Sequence, residues 1–356
     1  MKKKALIFAL IFLSSCVSER SAQENTSLKS DFENQIAQSI LEEVHKKLPK
    51  LKGIGRLKFL REKSRQFNRG VNDAMLSARM LEEKEILNYL QASEEILVGP
   101  DNFSSRLQVL SSLDWDLENY EKKTFEELNR IDGQIAAIAN QNAQMLFDHA
   151  AHMATVRKTA SYPEDSFAGR QNYLDLLSQE MIKSQADWFD TYQTYSPFEL
   201  SLLGLETSNV FFHYDSKKLA INLKEVKDLP EFEIKSLAVF YGFPGMQSLV
   251  PRTSKSLRIF LNLPGYTRGW AGYILEEIGS RVDKDTLDYL YFSRLQASLA
   301  LVDLKLHTQK WSLNEAISYL KENTPYSRHR SVLMASSVEK KPGFYLSSLG
   351  GKIKFS

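Results

Sequence analysis

The stretch Leu237-Ala238-Val239-Phe240-Tyr241-Gly242-Phe243-Pro244-Gly245-Met246-Gln247-Ser248-Leu249 decides the reading of this chain. It is followed, after an intervening segment, by Tyr266-Thr267-Arg268-Gly269-Trp270-Ala271-Gly272-Tyr273. Helical patterning begins at Ile234 and runs into the first stretch, and a second helical pattern covers 270–281. Just upstream the texture changes. Val210-Phe211-Phe212-His213-Tyr214 and Lys218-Leu219-Ala220-Ile221-Asn222-Leu223, on either side of Asp215-Ser216-Lys217, read as a short β-hairpin. The expected class is mainly α-helical with a small β element.

Working outward, the helical pattern dominates both flanks. Ser30 and Glu33 form a capping box, and Phe32, Ile36, Ile40, Val44 and Leu48 recur at every fourth residue until Pro49 ends the run. A second helical run covers 59–97 with a break expected at Gly70, and Gly99-Pro100-Asp101-Asn102 interrupts it. The pattern resumes over 103–160, including Phe125, Leu128, Ile131, Ile135 and Ile138, and again over 170–192 after Ser161-Tyr162-Pro163. Towards the C-terminus 287–307 is helical, and Ser312 with Glu315 caps another helix running to about Glu322. No solenoid-type repeat is present.

The 356 residues are 43% hydrophobic and 25% charged, an ordinary globular composition with ample material for a core. Lys2, Lys3 and Lys4 precede a short apolar run from Ala5 to Leu13, too short to span a bilayer comfortably as a helix. The run ends in Leu13-Ser14-Ser15-Cys16, which resembles a bacterial lipobox, so residues 1–15 are expected to be a signal peptide and Cys16 the lipidated residue. Cys16 is the only cysteine, which excludes an internal disulfide and a second cysteine nucleophile. Val17 follows it with no Asp to retain the chain in the inner membrane, so the periplasmic face of an outer membrane is the expected location in a Gram-negative host. Acyl chains anchor at about 0.8 kcal/mol per buried methylene. Removing residues 1–15 leaves 43 Lys+Arg against the 44 Asp+Glu, net −1, which argues against a nucleic-acid partner. The expected organisation is a signal peptide (1–15), a lipidated Cys and flexible tether (16–29), an N-terminal helical region (30–160) and a C-terminal core (161–356).

The C-terminal half carries a resemblance. Ala220-Ile221-Asn222-Leu223, Leu237-Ala238-Val239, Phe243-Pro244-Gly245, Gly269-Trp270-Ala271 with Tyr273, Arg294-Leu295-Gln296, Leu301-Val302-Asp303, Leu306-His307, Trp311-Ser312, Pro342-Gly343 and Gly351 resemble the bacterial family known as domain of unknown function 885. Its members are frequently exported lipoproteins similar to zincin-type metallopeptidases or hydrolases. The resemblance implies a metal centre built on His-Glu-x-x-Pro-Gly-His-His and Glu-Gly-Trp-Ala. There the imidazoles and a carboxylate bind a divalent cation that acidifies a water, and the first Glu takes its proton. In this chain the first His and Glu positions hold Phe240 and Tyr241, the later His pair Met246 and Gln247, and the Glu before Gly-Trp-Ala is Arg268. Phe344, Ser348 and Leu349 likewise replace the Gln, Tyr and Lys of a C-terminal family motif. None of the six histidines is followed by Glu, so no His-Glu zincin motif exists anywhere in the chain. No metal or other cofactor is expected.

Three expectations follow for the site. Phe240, Tyr241 and Met246 fill volume that a metal and its water would occupy, with Arg268 supplying a replacement charge for a nearby carboxylate. Asp303 and His307, one helical turn apart, form a retained structural pair, while Tyr266, Arg294, Asp303 and His307 are the candidate pocket residues. His149 and His152 lack a third ligand. The expected function is a lipid-anchored pseudoenzyme with a binding or structural role in the envelope, the ligand being a peptide or envelope fragment. The opposing reading is a hydrolase with a metal-independent site rebuilt from Asp303, His307, Arg268, Tyr241 and Tyr266.

Overall fold

A computed structural model describes residues 24–51, 53–70, 84, 87, 103–139, 147–188, 199–202, 212–215, 218–224, 226–249, 263–280, 286–308 and 310–356. The expected signal peptide and Cys16 lie outside the described residues. The chain divides into two compact units, Met1–Glu94 and Glu95–Ser356. Residues 95–160, grouped by the sequence with the N-terminal helices, therefore belong to the same unit as 161–356.

In the first unit α1 spans Glu24–Lys47, a 3₁₀ turn covers Leu48–Lys50 with Pro49 at its start, and α2 spans Gly53–Gly70. Helix α1 starts upstream of Ser30 because nothing from residue 24 to 48 is Gly or Pro. Its buried stripe is Ala37, Leu41, Val44 and Leu48, whereas Ile36 and Ile40 are half-exposed. A strict four-residue repeat drifts about 40° per step around a helix, so the expected every-fourth pattern does not stay on one face. Across the turn Leu60 and Phe67 are buried on α2. Lys63, also buried, bonds Glu43 and Gln66 and so ties α2 to α1.

The second unit is built around one helix. Its described helices are α3 (Phe103–Ser111), α4 (Leu117–Ala139), α5 (His149–Thr159), α6 (Phe167–Trp188), α7 (Ile234–Tyr241), α8 (Pro264–Gly279), α9 (Thr286–His307), α10 (Leu313–Asn323), α11 (Arg328–Glu339) and α12 (Phe344–Phe355). Every residue of α9 from Tyr289 to Leu304 is buried except Gln296, because apolar residues lie on every side of the helix and each side meets a different cluster, with Ser293, Arg294, Ser298 and Asp303 as buried polar residues among them. Phe292 joins α6, α7 and α8 through Tyr173, Leu177, Leu237, Phe240 and Leu275. Ala297, Leu301 and Leu304 meet Leu128, Ile131 and Ile135 of α4 and Leu346 and Leu349 of α12. Leu295, Leu299 and Val302 meet Leu320 of α10 and Ala335 and Val338 of α11. Phe125, expected in the α4 stripe, is instead 41% exposed, with the Lys305 ammonium 5.5 Å from its ring centre.

The capping box at Ser312 and Glu315 is present, each side chain bonding the other residue's backbone N–H. The hairpin is present as well: β2 (Phe212–Asp215) pairs antiparallel with β3 (Lys218–Ile221), Phe212 opposite Ile221 and Asp215 opposite Lys218. A third strand, β1 (Glu199–Leu202), adds parallel to β3, giving the order β1-β3-β2.

Helices α8 and α12 touch backbone to backbone. A Cβ on Gly351 would lie 1.7 Å from the carbonyl oxygen of Gly265, and one on Gly269 would lie 2.7 Å from the carbonyl carbon of Gly351. Only glycine fits that crossing. Around it runs a closed circuit of ion pairs. Arg130 is bidentate on Glu127 at 2.8 Å and bonds Glu276 at 2.7 Å, while Lys352 bonds Glu127 and, at 2.7 Å, Glu276. The circuit fastens α4, α8 and α12 together.

Candidate functional site

Helix α7 ends at Tyr241 because Gly242 opens a turn that returns the Gly245 N–H to the carbonyl of Val239 at 3.1 Å. The Phe243–Pro244 peptide in this turn is cis. Trp270 of α8 holds the turn, its Nε1 donating to the Pro244 carbonyl and to Ser248 Oγ, both at 3.1 Å. Two residues earlier on α8, Arg268 is thereby brought over the end of α7.

The altered positions converge. The guanidinium carbon of Arg268 lies 4.9 Å from the ring centre of Phe240, 5.7 Å from that of Tyr241 and 5.4 Å from that of Phe344. Phe240 meets Tyr241 and Phe292 edge-on at 5.1 and 5.4 Å. Phe240, Tyr241 and Met246 are 1%, 6% and 7% exposed, all within the cluster around α7. Gln247 is half-exposed, and its backbone N–H closes the turn on the Gly242 carbonyl at 3.2 Å. Cation–ring contacts of this kind contribute about 0.5–2 kcal/mol each, more as water is removed.

Among the described residues Arg268 meets no carboxylate, contrary to expectation. Its Nη2 donates to the side-chain oxygen of Gln296 at 3.3 Å, and its Nε is sealed from water without a hydrogen-bond partner among the described residues. Phenyl and phenol rings, a thioether, an amide and a guanidinium do not make a divalent-cation site, because none is an anionic or imidazole ligand and the guanidinium repels a cation. Among the described residues no three His, Cys, Asp or Glu side chains gather to hold an ion.

Asp303 and His307 do come together, as a pair one helical turn apart. Asp303 is fully buried, and its carboxylate accepts the N–H groups of Gly343 at 2.9 Å, Tyr345 at 2.9 Å and Leu346 at 3.0 Å. It thus caps the first turn of α12 from another helix, where the helix dipole also favours a negative charge. His307 Nδ1 lies 3.0 Å from the same carboxylate, its Nε2 lies 3.3 Å from the Glu339 carbonyl, and its ring stacks on Phe103 at 5.3 Å. Burial pushes the imidazole down, but the Asp303 hydrogen bond and charge outweigh it and raise its pKa.

The remaining candidates lie apart from Arg268's ring box. Arg294 bonds Asp132 and Ser298, each at 2.6 Å, and Tyr319 at 3.3 Å. Tyr266 packs on Phe355 with the ring centres 6.1 Å apart, and Trp270 and Tyr273 share the same phenyl ring. His149 Nδ1 lies 3.4 Å from Asp132, whereas His152 bonds the Tyr291 hydroxyl at 2.9 Å, so the two imidazoles take different partners. Burial, above all, lowers the pKa of both.

Two contributors were missed from the sequence. Gln296 sits two turns before Asp303 on α9, a spacing that signals a shared face. Lys341, just before Pro342-Gly343, places its ammonium 5.3 Å from the Phe344 ring centre, the same ring that Arg268 approaches. No sequence signal linked Lys341 to Arg268.

The fold has solved counterparts. The chain is similar to a predicted lipoprotein from Colwellia psychrerythraea, at 19% identity and a TM-score of 0.61, over 91% of this chain and 61% of that one. A predicted lipoprotein of unknown function from Shewanella oneidensis is 12% identical with a TM-score of 0.49, over 93% of this chain and 65% of that one. The chain thus spans less than two thirds of either protein, and the first likeness concerns the fold alone. No curated protein matches. The model of the bacterial family of proteins of unknown function, DUF885, matches residues 17–356, and the chain belongs to that family.

Proposed function

We propose that this chain is a lipid-anchored, non-catalytic member of its family, with a binding or structural role in the bacterial envelope. The observation that carries the reading is Arg268 among Phe240, Tyr241 and Phe344, a fixed organic cation at positions where the resemblance implies a metal and its ligands. The engagement of Asp303 by three backbone N–H groups speaks against its use in a rebuilt hydrolase. Lipidation at Cys16 rests on the Leu13-Ser14-Ser15-Cys16 sequence, and the similar Colwellia and Shewanella proteins are themselves described as predicted lipoproteins. No described helix is long and apolar enough to cross a membrane, so the anchor in this reading is the lipid. The periplasmic face of an outer membrane is the proposed location.

The test is zinc retention by the full-length chain purified in detergent, after incubation with excess zinc and exhaustive dialysis. The expected result is no stoichiometric metal. One tightly held ion per chain would overturn the reading and direct mutagenesis to His149, His152 and His307. The anchor is tested separately: Cys16→Ser should abolish incorporation of labelled fatty acid and release the chain from the membrane fraction.

A further inference from the structure

Resting on the lipid-anchor reading, we infer that the helix pair α1–α2 of the first unit docks on an anionic bilayer surface. In this arrangement Lys58, Arg61 and Arg65 meet the lipid phosphates, and the half-exposed Ile36 and Ile40 sink towards the acyl boundary.

The charge is concentrated in one short segment. Residues 46–70 contain ten Lys and Arg and one acid, Glu62, a local net of +9. The rest of residues 16–356 holds 33 Lys and Arg against 43 acids, so the segment is a basic block in an otherwise acidic chain. A helix face that is merely solvated mixes the two signs, whereas a block of one sign suits an oppositely charged partner.

The fold turns this segment into a surface. Leu60, Lys63, Ser64 and Phe67 are buried on α2, while Lys58, Arg61 and Arg65, three and four residues apart, share its exposed side. With Ile36 and Ile40 of α1 they line a hollow of about 860 Å³. Lys58 also borders a second hollow of about 430 Å³, with Lys47, Lys50 and Phe59 around the turn. Cations set about partly exposed apolar side chains are the pattern of an interfacial helix, whose apolar groups enter the headgroup boundary while its cations meet phosphate.

Position selects the bilayer as the occupant. Residues 16–23 separate the lipidated cysteine from α1, and eight residues span at most about 28 Å. The 24 residues of α1 add about 36 Å. The helix pair is thus held close to the headgroups, and this tethering gives them a high effective concentration over any soluble acidic partner.

The test uses the lipidated full-length chain reconstituted into vesicles of phosphatidylcholine, or of equal parts phosphatidylcholine and phosphatidylglycerol. Cys16 is the only cysteine and carries the lipid in this reading, so Gln66→Cys, at the larger hollow, takes a single fluorophore. Gln38→Cys, on the opposite flank of α1 from Ile36 and Ile40, is the control. Quenching by aqueous acrylamide should fall several-fold at position 66 in the anionic vesicles and stay unchanged at position 38. About 1 M NaCl, which shortens the screening length to about 3 Å, should restore it. Each cation at an anionic surface strengthens contact about fivefold, so Lys58→Gln with Arg65→Gln should lower the ratio of docked to undocked chains about 25-fold. The salt arm needs no charge substitution and stands should that double variant not fold. Equal quenching in the two kinds of vesicle, or equal shielding at positions 66 and 38, would overturn the inference. Full shielding already present in non-ionic detergent would overturn it too, and would assign the basic face to an acidic surface of this protein. Two labels per chain would reveal a free Cys16 thiol and overturn the lipid-anchor reading, whereas one label on a vesicle-bound, unshielded chain overturns only this inference.

Discussion

Asp303→Asn separates a structural carboxylate from a catalytic one. In the wild-type chain one oxygen accepts the Gly343 N–H and faces His307, and the other accepts the N–H groups of Tyr345 and Leu346. An amide in the same place keeps one acceptor but turns an NH₂ towards N–H donors, whichever way it is flipped. Hydrogen bonds to a charged group contribute about 1.5–3 kcal/mol each, and donors left unpaired in a buried place cost a further 1–3 kcal/mol. Such terms do not add fully, and breaking a buried charged arrangement typically costs about 3–5 kcal/mol, which is the expected loss here. All four tryptophans, Trp115, Trp188, Trp270 and Trp311, lie in the second unit, so their fluorescence follows its unfolding in urea. With a slope of about 3 kcal/mol per molar urea, the midpoint should fall by more than about 1 M. A shift below about 0.3 M would refute the capping argument and return Asp303 to the list of chemical groups.

Three further outcomes follow from the same packing. Glu127 is held down to about 2, chiefly because the Arg130 and Lys352 hydrogen bonds and charges outweigh the burial that would raise it. A depressed carboxylate stabilises above its unfolded pKa and loses that contribution as pH falls through the folded one. Urea stability should therefore drop by up to about 3 kcal/mol between pH 4.5 and 2, and Glu127→Gln should flatten that part of the profile. Gly351→Ala forces a methyl against the Gly265 carbonyl and should destabilise by more than about 3 kcal/mol, read as a melting temperature lower by about 6 °C or more. Arg330 is bidentate on the fully buried Glu233 at 2.6 and 2.7 Å; Arg330→Met alone should cost about 3–5 kcal/mol, and pairing it with Glu233→Gln should recover part of that loss in a double-mutant cycle.

What the sequence made legible was local. The hairpin is announced by Asp215-Ser216-Lys217, and the α10 cap by Ser312 and Glu315, because each signal lies within a few residues of its partner. Strand β1 is four residues long and becomes a strand through parallel pairing with β3, a distant partner that no local pattern reveals. The burial of Phe240, Tyr241 and Met246 followed from their types. The partner of Arg268 did not, since a carboxylate was the natural expectation and Gln296 reaches it from α9. Asp303 and His307 were legible as a pair one turn apart, yet the N–H groups that engage Asp303 come from α12.

The long reach of α12 has a kinetic consequence. Lys352 bonds Glu127 across 225 residues of chain, and Leu346 and Leu349 complete the cluster that α4 and α9 begin. Closing a loop of that length costs entropy before any contact rewards it, and proteins dominated by distant contacts fold slowly. The second unit cannot seal until α12 arrives, so a nascent chain in which α12 has yet to emerge stays loose and threadable. For a protein proposed to cross a membrane before it folds, a late-closing latch postpones compaction of the second unit until α12 itself has crossed.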